Sequence, residues 1–291
     1  MKTRRSRYGI IRDVTTSNPG PDWNSFGRAN ASQKWRKQSA AMGKEMTRAL
    51  VDAAPVSPGM RVLDIACGTG EPAISLATQM DGSGEMIGVD ISEAPLQIAA
   101  ERAAQRGLTN ARFQKADAHH LPFPENSFDA ITSRLGVMFF SDVPRALAEM
   151  HRVLKPGGTA VLLVWGPMEQ PYFATTIGTL LRMLPGSAIP EPGRKMFAFG
   201  REGLLAQSIR QAGFSRAKDQ PITVPWTWPG TPAEVWEYFQ EVTAPFAALL
   251  KSIPTGRREE IDKEVLDAIG KYSDGTDIKF TATVNITIAV K

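Results

Sequence analysis

The chain has 291 residues, 42% hydrophobic and 22% charged, which suits one large α/β domain with an elaboration or two small domains. No apolar run approaches the roughly 18 residues needed to span a bilayer, and the one cysteine, Cys67, excludes an internal disulfide and fits a reducing cytosol. The net charge of +4 is local: without Lys2, Arg4, Arg5, Arg7 and Arg12, 29 basic residues face 30 acidic ones, so a solvated tail is expected and not a nucleic-acid surface.

Residues 1–28 carry Gly9, Pro19-Gly20-Pro21 and no periodicity, so they read as a flexible basic arm, with Trp23 and Phe26 free to dock. The arm lacks the apolar core of a secretory signal. From Ser32 to Ala54 the composition is helical, ending before Pro55, and this helix is expected over the entrance to a cleft. Strands and helices then alternate, the pattern of a parallel sheet. Strands are expected at 60–65, 85–90, 111–116, 128–133 and 159–165. Helices are expected at 71–80, from Ser92 (as cap) to about Gly107, and from 141 to 154, where Val143, Leu147, Met150 and Leu154 are spaced 4-3-4. Lys155-Pro156-Gly157-Gly158 stops the last of these. Residues 171–213 read as two helices around a Pro/Gly-rich loop at 185–193, residues 215–225 as a sixth strand, and 232–250 and 257–271 as further helices. The chain closes on Phe280, Ala282, Val284, Ile286, Ile288 and Val290 alternating with polar residues, a period-two strand.

The stretch Val62 to Pro72 organises the rest. Its apolar strand stops in a loop where Gly68 and Gly70 permit backbone dihedrals that a side chain forbids, and Pro72 suits the opening of a helix whose free N–H groups face the loop. This is a cofactor loop. Gly68-x-Gly70-x-x-Ala73, with Asp90 twenty residues on, also satisfies a nicotinamide-dinucleotide fingerprint. Asp64 separates the two readings: a carboxylate four residues before the first glycine repels a pyrophosphate but suits an ammonium or sulfonium-bearing amino acid. Asp90 ends the second strand, where it can accept both hydroxyls of a ribose, and Asp117 ends the third, where it can accept from an adenine amine.

Val62 to Gly70, Gly88-Val89-Asp90-Ile91-Ser92, Asp117-Ala118 with Leu121-Pro122-Phe123-Pro124, Ser127-Phe128-Asp129, and Arg152 to Gly158 follow in order. Together they resemble class I S-adenosylmethionine-dependent methyltransferases, in the small-molecule branch of the ubiquinone/menaquinone-biosynthesis C-methyltransferases, over about residues 45–165. The resemblance implies a Rossmann-like, doubly wound, seven-stranded and mostly parallel sheet with an antiparallel last strand. It implies a domain over 29–291 with helical lid segments at about 167–213 and 226–275. It also implies S-adenosylmethionine as cofactor and S-adenosylhomocysteine as product, with no metal. Asp64, Gly68 and Gly70 would hold the methionine end, Asp90 the ribose, and Asp117 with Ala118 the adenine, with Ala66, Cys67 and Ile91 also in the cofactor site. Ser133, Arg134 and Leu135 would lie beside the methyl group.

Related O-methyltransferases place a His just after strand four; here Met138-Phe139-Phe140 stands there, and strand five ends in Trp165 and not an acid. The usual base positions are therefore empty, which favours catalysis by proximity and orientation. His119, His120 and Arg134 are the remaining candidates for acid–base work, although His119 and His120 suit the adenine rim better and His151 suits the surface. Met138, Phe139, Trp165, Tyr172, Phe173, Phe197, Trp226 and Trp236, with Phe199 and Trp228, are expected to build a lid and an aromatic acceptor pocket. The expected protein is a cytoplasmic methyltransferase acting on a small apolar or aromatic metabolite, without nucleic-acid partners or a membrane span; a homo-oligomer is allowed. A catalytically inactive cofactor-binding subunit and an NAD(P)-dependent oxidoreductase are the alternatives.

Overall fold

A computed structural model describes residues 34–291. The basic arm and the docking of Trp23 and Phe26 lie outside the described residues. Helix α1 (Arg36–Ala53) leads into β1 (Arg61–Ile65), α2 (Ala73–Gln79), β2 (Glu85–Asp90), α3 (Glu93–Gln105), β3 (Ala111–Lys115), β4 (Phe128–Arg134), α4 (Val143–Val153) and β5 (Leu154–Trp165). The strands form one seven-stranded sheet in the order β3-β2-β1-β4-β5-β7-β6, where β6 is Arg216–Pro229 and β7 is Asp277–Val290. β7 runs antiparallel to both of its neighbours, β5 and β6, and the other pairings are parallel. The seven strands and the antiparallel last one agree with the expected fold.

Burial explains the strand compositions. Val62, Leu63 and Ile65 of β1 are buried because helices cover both sheet faces, whereas the edge strand β3 is half exposed. β7 keeps its alternation, yet Asn285 and Thr287 are buried as well. Asn285 donates to the carbonyls of Phe199 and Gly200, and Thr287 donates to Asp219, so the polar face of the strand is satisfied inside the protein.

The motifs shared with the family prove largely structural. Arg152 pairs with Glu149 and donates to the carbonyls of Leu121 and Phe123, while Glu149 accepts from the Leu121 N–H. Asp129 accepts from the Arg61 N–H and pairs with Lys155. Residues 121–124, 129 and 152–155 thus form one clamp behind the sheet.

Several boundaries differ from expectation. β5 starts at Leu154, not 159, because Leu154 pairs with Phe128 and the intervening glycines form a bulge. Ser92 stands at the start of α3, but its hydroxyl makes no cap bond; its N–H donates to Asp90. The segment after β5 is a helix, α5, in three consecutive stretches: Pro171–Phe173, a π turn at Ala174–Gly178, and Thr179–Met183. The expected Pro/Gly loop contains a short helix, α6 (Glu191–Lys195), and α7 (Leu204–Gln211) follows, capped by Asp219, which accepts from the Gly203 and Ala206 N–H groups. β6 runs four residues beyond its expected end, so Trp226 and Trp228 sit on a strand. Helix α8 (Pro232–Val242) opens with a Thr231/Glu234 capping box, and Pro245 then breaks the run expected to reach 250, leaving α9 (Ala247–Lys251) separate. Helix α10 (Arg258–Gly270) closes the insertion before β7. No helix among the described residues is long and apolar enough to cross a membrane.

Candidate active site

The carboxyl ends of β1, β2 and β4 open into one cavity of about 1500 Å³, at the point where the strand order reverses between β1 and β4. It exceeds the roughly 300–1,000 Å³ of an ordinary ligand pocket, which leaves room for a cofactor and a second molecule.

One end of the cavity is the glycine loop. Gly68 sits at φ +53°, and a Cβ built there would meet nothing within 4 Å, so the loop leaves open space on the cavity side. Gly70 and Gly136 serve packing: added Cβ atoms would stand 2.6 Å from Ile74 and 2.5 Å from Ala66, respectively. Asp90 fixes the loop by accepting from the Gly68 and Ser92 N–H groups, both at 2.9 Å. From α3, Arg102 pairs with Glu71 at 2.9 Å and donates to the Thr69 carbonyl, tying the loop from the other side. Ile91 is 54% exposed, the only large hydrophobic so exposed among the described residues, and it faces the cavity as a flat apolar rest. Asp117 and Ala118 line the same end.

Of the expected cofactor residues, Ala66, Gly68, Asp90, Ile91, Asp117, Ala118, Arg134 and Leu135 line the cavity. Asp64, Cys67 and Ser133 are buried, and neither they nor Gly70 are among its lining residues. Asp64 is fully buried and accepts from the Thr132 hydroxyl at 2.8 Å, while its second oxygen has no partner among the described residues. Burial pushes its carboxyl from the ordinary 3.8 to about 7, with the Thr132 hydroxyl and Arg134 pulling it back. Asp64 thus lies beneath the glycine loop and not among the residues that line the cavity. Burial, with the charges of Asp64 and Asp90, raises the Cys67 thiol well above its ordinary range, so Cys67 is an inert packing residue.

Arg134 closes β4 deep in the cavity. Its Nη1 donates to the Thr47 hydroxyl at 2.9 Å and reaches the Gly43 carbonyl at 3.5 Å, while Nε has no partner among the described residues. α1 thus forms a wall of the cavity, as expected of a helix over the cleft, and places Arg36, Lys37, Lys44 and Arg48 along its rim.

The other end is aromatic. Trp165, Tyr172 and Trp226 meet edge to face, with ring centroids 5.3 Å apart for Trp165–Trp226 and 4.4 Å for Tyr172–Trp226, and Phe173 packs at 5.1 Å from Trp165. Met138, Phe139, Met196 and Tyr238 also line this end. Burial raises the Tyr172 phenol well above its ordinary value, although a hydrogen bond with Thr243 opposes this; it stays protonated.

Four expected pocket residues lie elsewhere. Phe197 stands behind Phe173, with centroids 4.9 Å apart. Trp228 is fully buried against Trp35 and Tyr238. Trp236 packs on Phe239 and donates to Asp262 at 2.8 Å, so it fastens α8 to α10 and does not face the cavity. Phe199 lines only a small separate depression beside Met138.

Both ring nitrogens of His119 are engaged: Nδ1 lies 2.5 Å from Asp117, and Nε2 accepts from the Asp142 N–H at 3.1 Å. Burial raises the Asp117 carboxyl, but the N–H bonds from His119 outweigh it and hold Asp117 below its ordinary value. His120 is exposed and outside the cavity. His151 packs edge-on against Phe214 and is half buried, not simply a surface residue. Sequence reasoning missed Gly43, Thr47, Arg102, Met196, Tyr238 and Thr243. Arg102 and Thr47 sit on helices whose apolar spacing gives no sign of which polar residue turns inward. No group of three or more His, Cys, Asp or Glu among the described residues is placed to hold a metal ion.

Comparison with known proteins places this geometry. A family model described as a methyltransferase domain matches residues 62–158. A demethylmenaquinone methyltransferase of Thermus thermophilus is 40% identical over 204 residues, covering 66% of this chain and 84% of that one. One of Geobacillus kaustophilus is 36% identical over 186 residues, covering 58% and 76%. Among solved structures, the YcgJ protein of Bacillus subtilis superposes with a TM-score of 0.53 at 25% identity, covering 85% of this chain and 98% of that one. The chain therefore belongs to the class I S-adenosylmethionine-dependent methyltransferases and resembles the quinone-biosynthesis C-methyltransferases among them.

Proposed function

We propose that this methyltransferase methylates a small, aromatic, quinol-type acceptor, chiefly by holding it in line with the cofactor's methyl group. The observation that carries the reading is the single cavity running from the glycine loop to the wall of Trp165, Tyr172, Phe173 and Trp226. The names of the relatives, demethylmenaquinone methyltransferases, agree with an aromatic acceptor.

The residues fit S-adenosylmethionine. The open side of Gly68 admits close approach, Asp90 keeps lone pairs for a ribose, Ile91 and Ala118 offer apolar contact to an adenine, and the Asp64 carboxyl lies under the loop, where a cationic ligand favours its charged form. When bound, the cofactor supplies an electrophilic methyl group on a cationic sulfur. The aromatic wall holds a flat acceptor by edge and face contacts and excludes water from it. Tyr172 keeps its proton and so does not act as a base. His119 spends both ring nitrogens on the loop around it, so proximity and orientation carry the reaction and the acceptor brings its own ionisable hydroxyl.

The test incubates the full chain with S-adenosylmethionine and a panel of reduced naphthoquinols, catechols, simple phenols and aliphatic amines, and weighs the products by mass spectrometry. Methylation confined to the hydroxylated aromatics is expected. Transfer to the amines alone, or cofactor binding without transfer to any aromatic member, overturns the reading.

A further inference from the structure

Arg134 poses a charge problem that the reaction as described does not solve. It is a guanidinium set deep between β4 and α1, and none of its nitrogens forms an ion pair among the described residues. Its two hydrogen bonds go to neutral oxygens, the Thr47 hydroxyl and the Gly43 carbonyl. The acids acting on it, Glu71 and Asp64, do so only at a distance: Glu71 is committed to Arg102 and Ser75, and Asp64 to Thr132. Arg134 is half-buried and lines the cavity, so its guanidinium faces that space without a counter-ion, and an anion entering there gains a charge-assisted partner.

The surroundings specify where that anion sits. Arg134 lies at the glycine-loop end of the cavity, beside Asp64 and Glu71, and not within the Trp165–Tyr172–Trp226 cluster. Space for it is provided on purpose: a Cβ at Gly43 would come within 3.0 Å of its Nη1. A zwitterionic amino acid entering this end meets the carboxyl groups of Asp64 and Glu71, which suit an ammonium and offer nothing to a carboxylate. Only a cation among them can seat the carboxylate, and the planar fork of an arginine matches it.

We propose that Arg134, held by Thr47 and Gly43 of α1, receives the α-carboxylate at the amino-acid end of the cofactor and so selects a cofactor that carries one. This rests on the reading that the cavity takes S-adenosylmethionine. It gives Arg134 a role at the far side of the sulfur from the methyl group, and it makes α1 part of the cofactor site.

The test is isothermal titration of the full chain with two probes, S-adenosylhomocysteine and its decarboxylated analogue, which lacks only the carboxylate. Wild type is expected to prefer the first by about 10- to 100-fold, the worth of a charge-assisted pair. Arg134→Gln is expected to shrink that preference to about threefold or less while binding the decarboxylated analogue as wild type does. Arg134→Lys should keep an intermediate preference, and Thr47→Val, which removes the anchor but not the charge, should reduce it; these two decide the matter if the Gln variant fails to fold. An undiminished preference in Arg134→Gln overturns the proposal and moves the carboxylate to the rim cations of α1. Equal weakening of both probes also overturns it, since Arg134 would then be structural. If wild type binds neither probe, the cofactor reading itself fails, a distinct outcome.

Discussion

Replacing Asp64 with Asn should make the ligand-free protein more stable, and increasingly so as the pH rises. The native carboxyl titrates at about 7 because burial disfavours its charged form, against 3.8 ordinarily. Between those values the unfolded chain has released a proton that the folded chain keeps, so stability falls with pH, and above about 7 the loss is complete. At 1.36 kcal/mol for each pH unit, the whole interval corresponds to on the order of 4 kcal/mol, of which about 3 kcal/mol develops between roughly pH 4.5 and pH 8. Asn keeps an oxygen for the Thr132 hydroxyl and carries no charge to bury. Thermal unfolding of wild type and Asp64→Asn at those two pH values should show their Tm difference widening by roughly 6–12 °C at the higher pH. Parallel Tm curves would refute the reasoning, and a variant that loses ground at high pH would mean the charge is stabilised by Arg134 more than burial penalises it.

Gly68→Ala should fold, losing about 1–2 kcal/mol to its left-handed backbone, but should bind S-adenosylhomocysteine at least about tenfold more weakly, since the new methyl enters the cavity; unchanged affinity in a calorimeter would place the cofactor elsewhere. Trp236→Phe should lose the bond to Asp262 and about 1 kcal/mol of stability with no change in acceptor KM, whereas Trp236→Ala should cost about 3–5 kcal/mol. A raised acceptor KM in the Phe variant would return Trp236 to the pocket. His119→Ala should leave the shape of the pH–rate profile intact, because both its nitrogens already have partners. Loss of one limb of that profile would reinstate it as a base.

The glycine-loop end of the cavity was legible because its signals are local. A glycine at φ +53°, an acid at the end of a strand and an apolar run for a doubly covered strand each follow from a few adjacent residues. That β1 to β5 form a parallel sheet followed from strand and helix alternation. The aromatic end was less legible because it is built from contacts between distant segments. Trp226 and Trp236 are equally aromatic in sequence, but the first projects from a strand into the cavity and the second turns toward Asp262. The length of β6 was underread because Pro221 and Pro225 look like breakers, yet both fit an edge strand, where an N–H can go unpaired. The carboxylate of Asp64 before the glycine loop was legible, but its full burial with the Thr132 hydroxyl on one oxygen is a tertiary fact that spacing does not encode.

The position of β7 also sets an order of assembly. β6 has β7 as its only strand neighbour, so it has no place in the sheet until the final segment of the described chain is available. During synthesis, the loop of Gly68 and the ends of β1, β2 and β4 can form while the nascent chain is still growing, because their partners all precede residue 166. Trp226 cannot reach Trp165 before β7 docks between their two strands. The glycine-loop end is thus available early on the ribosome, and the aromatic end is completed only once residues 277–290 have emerged.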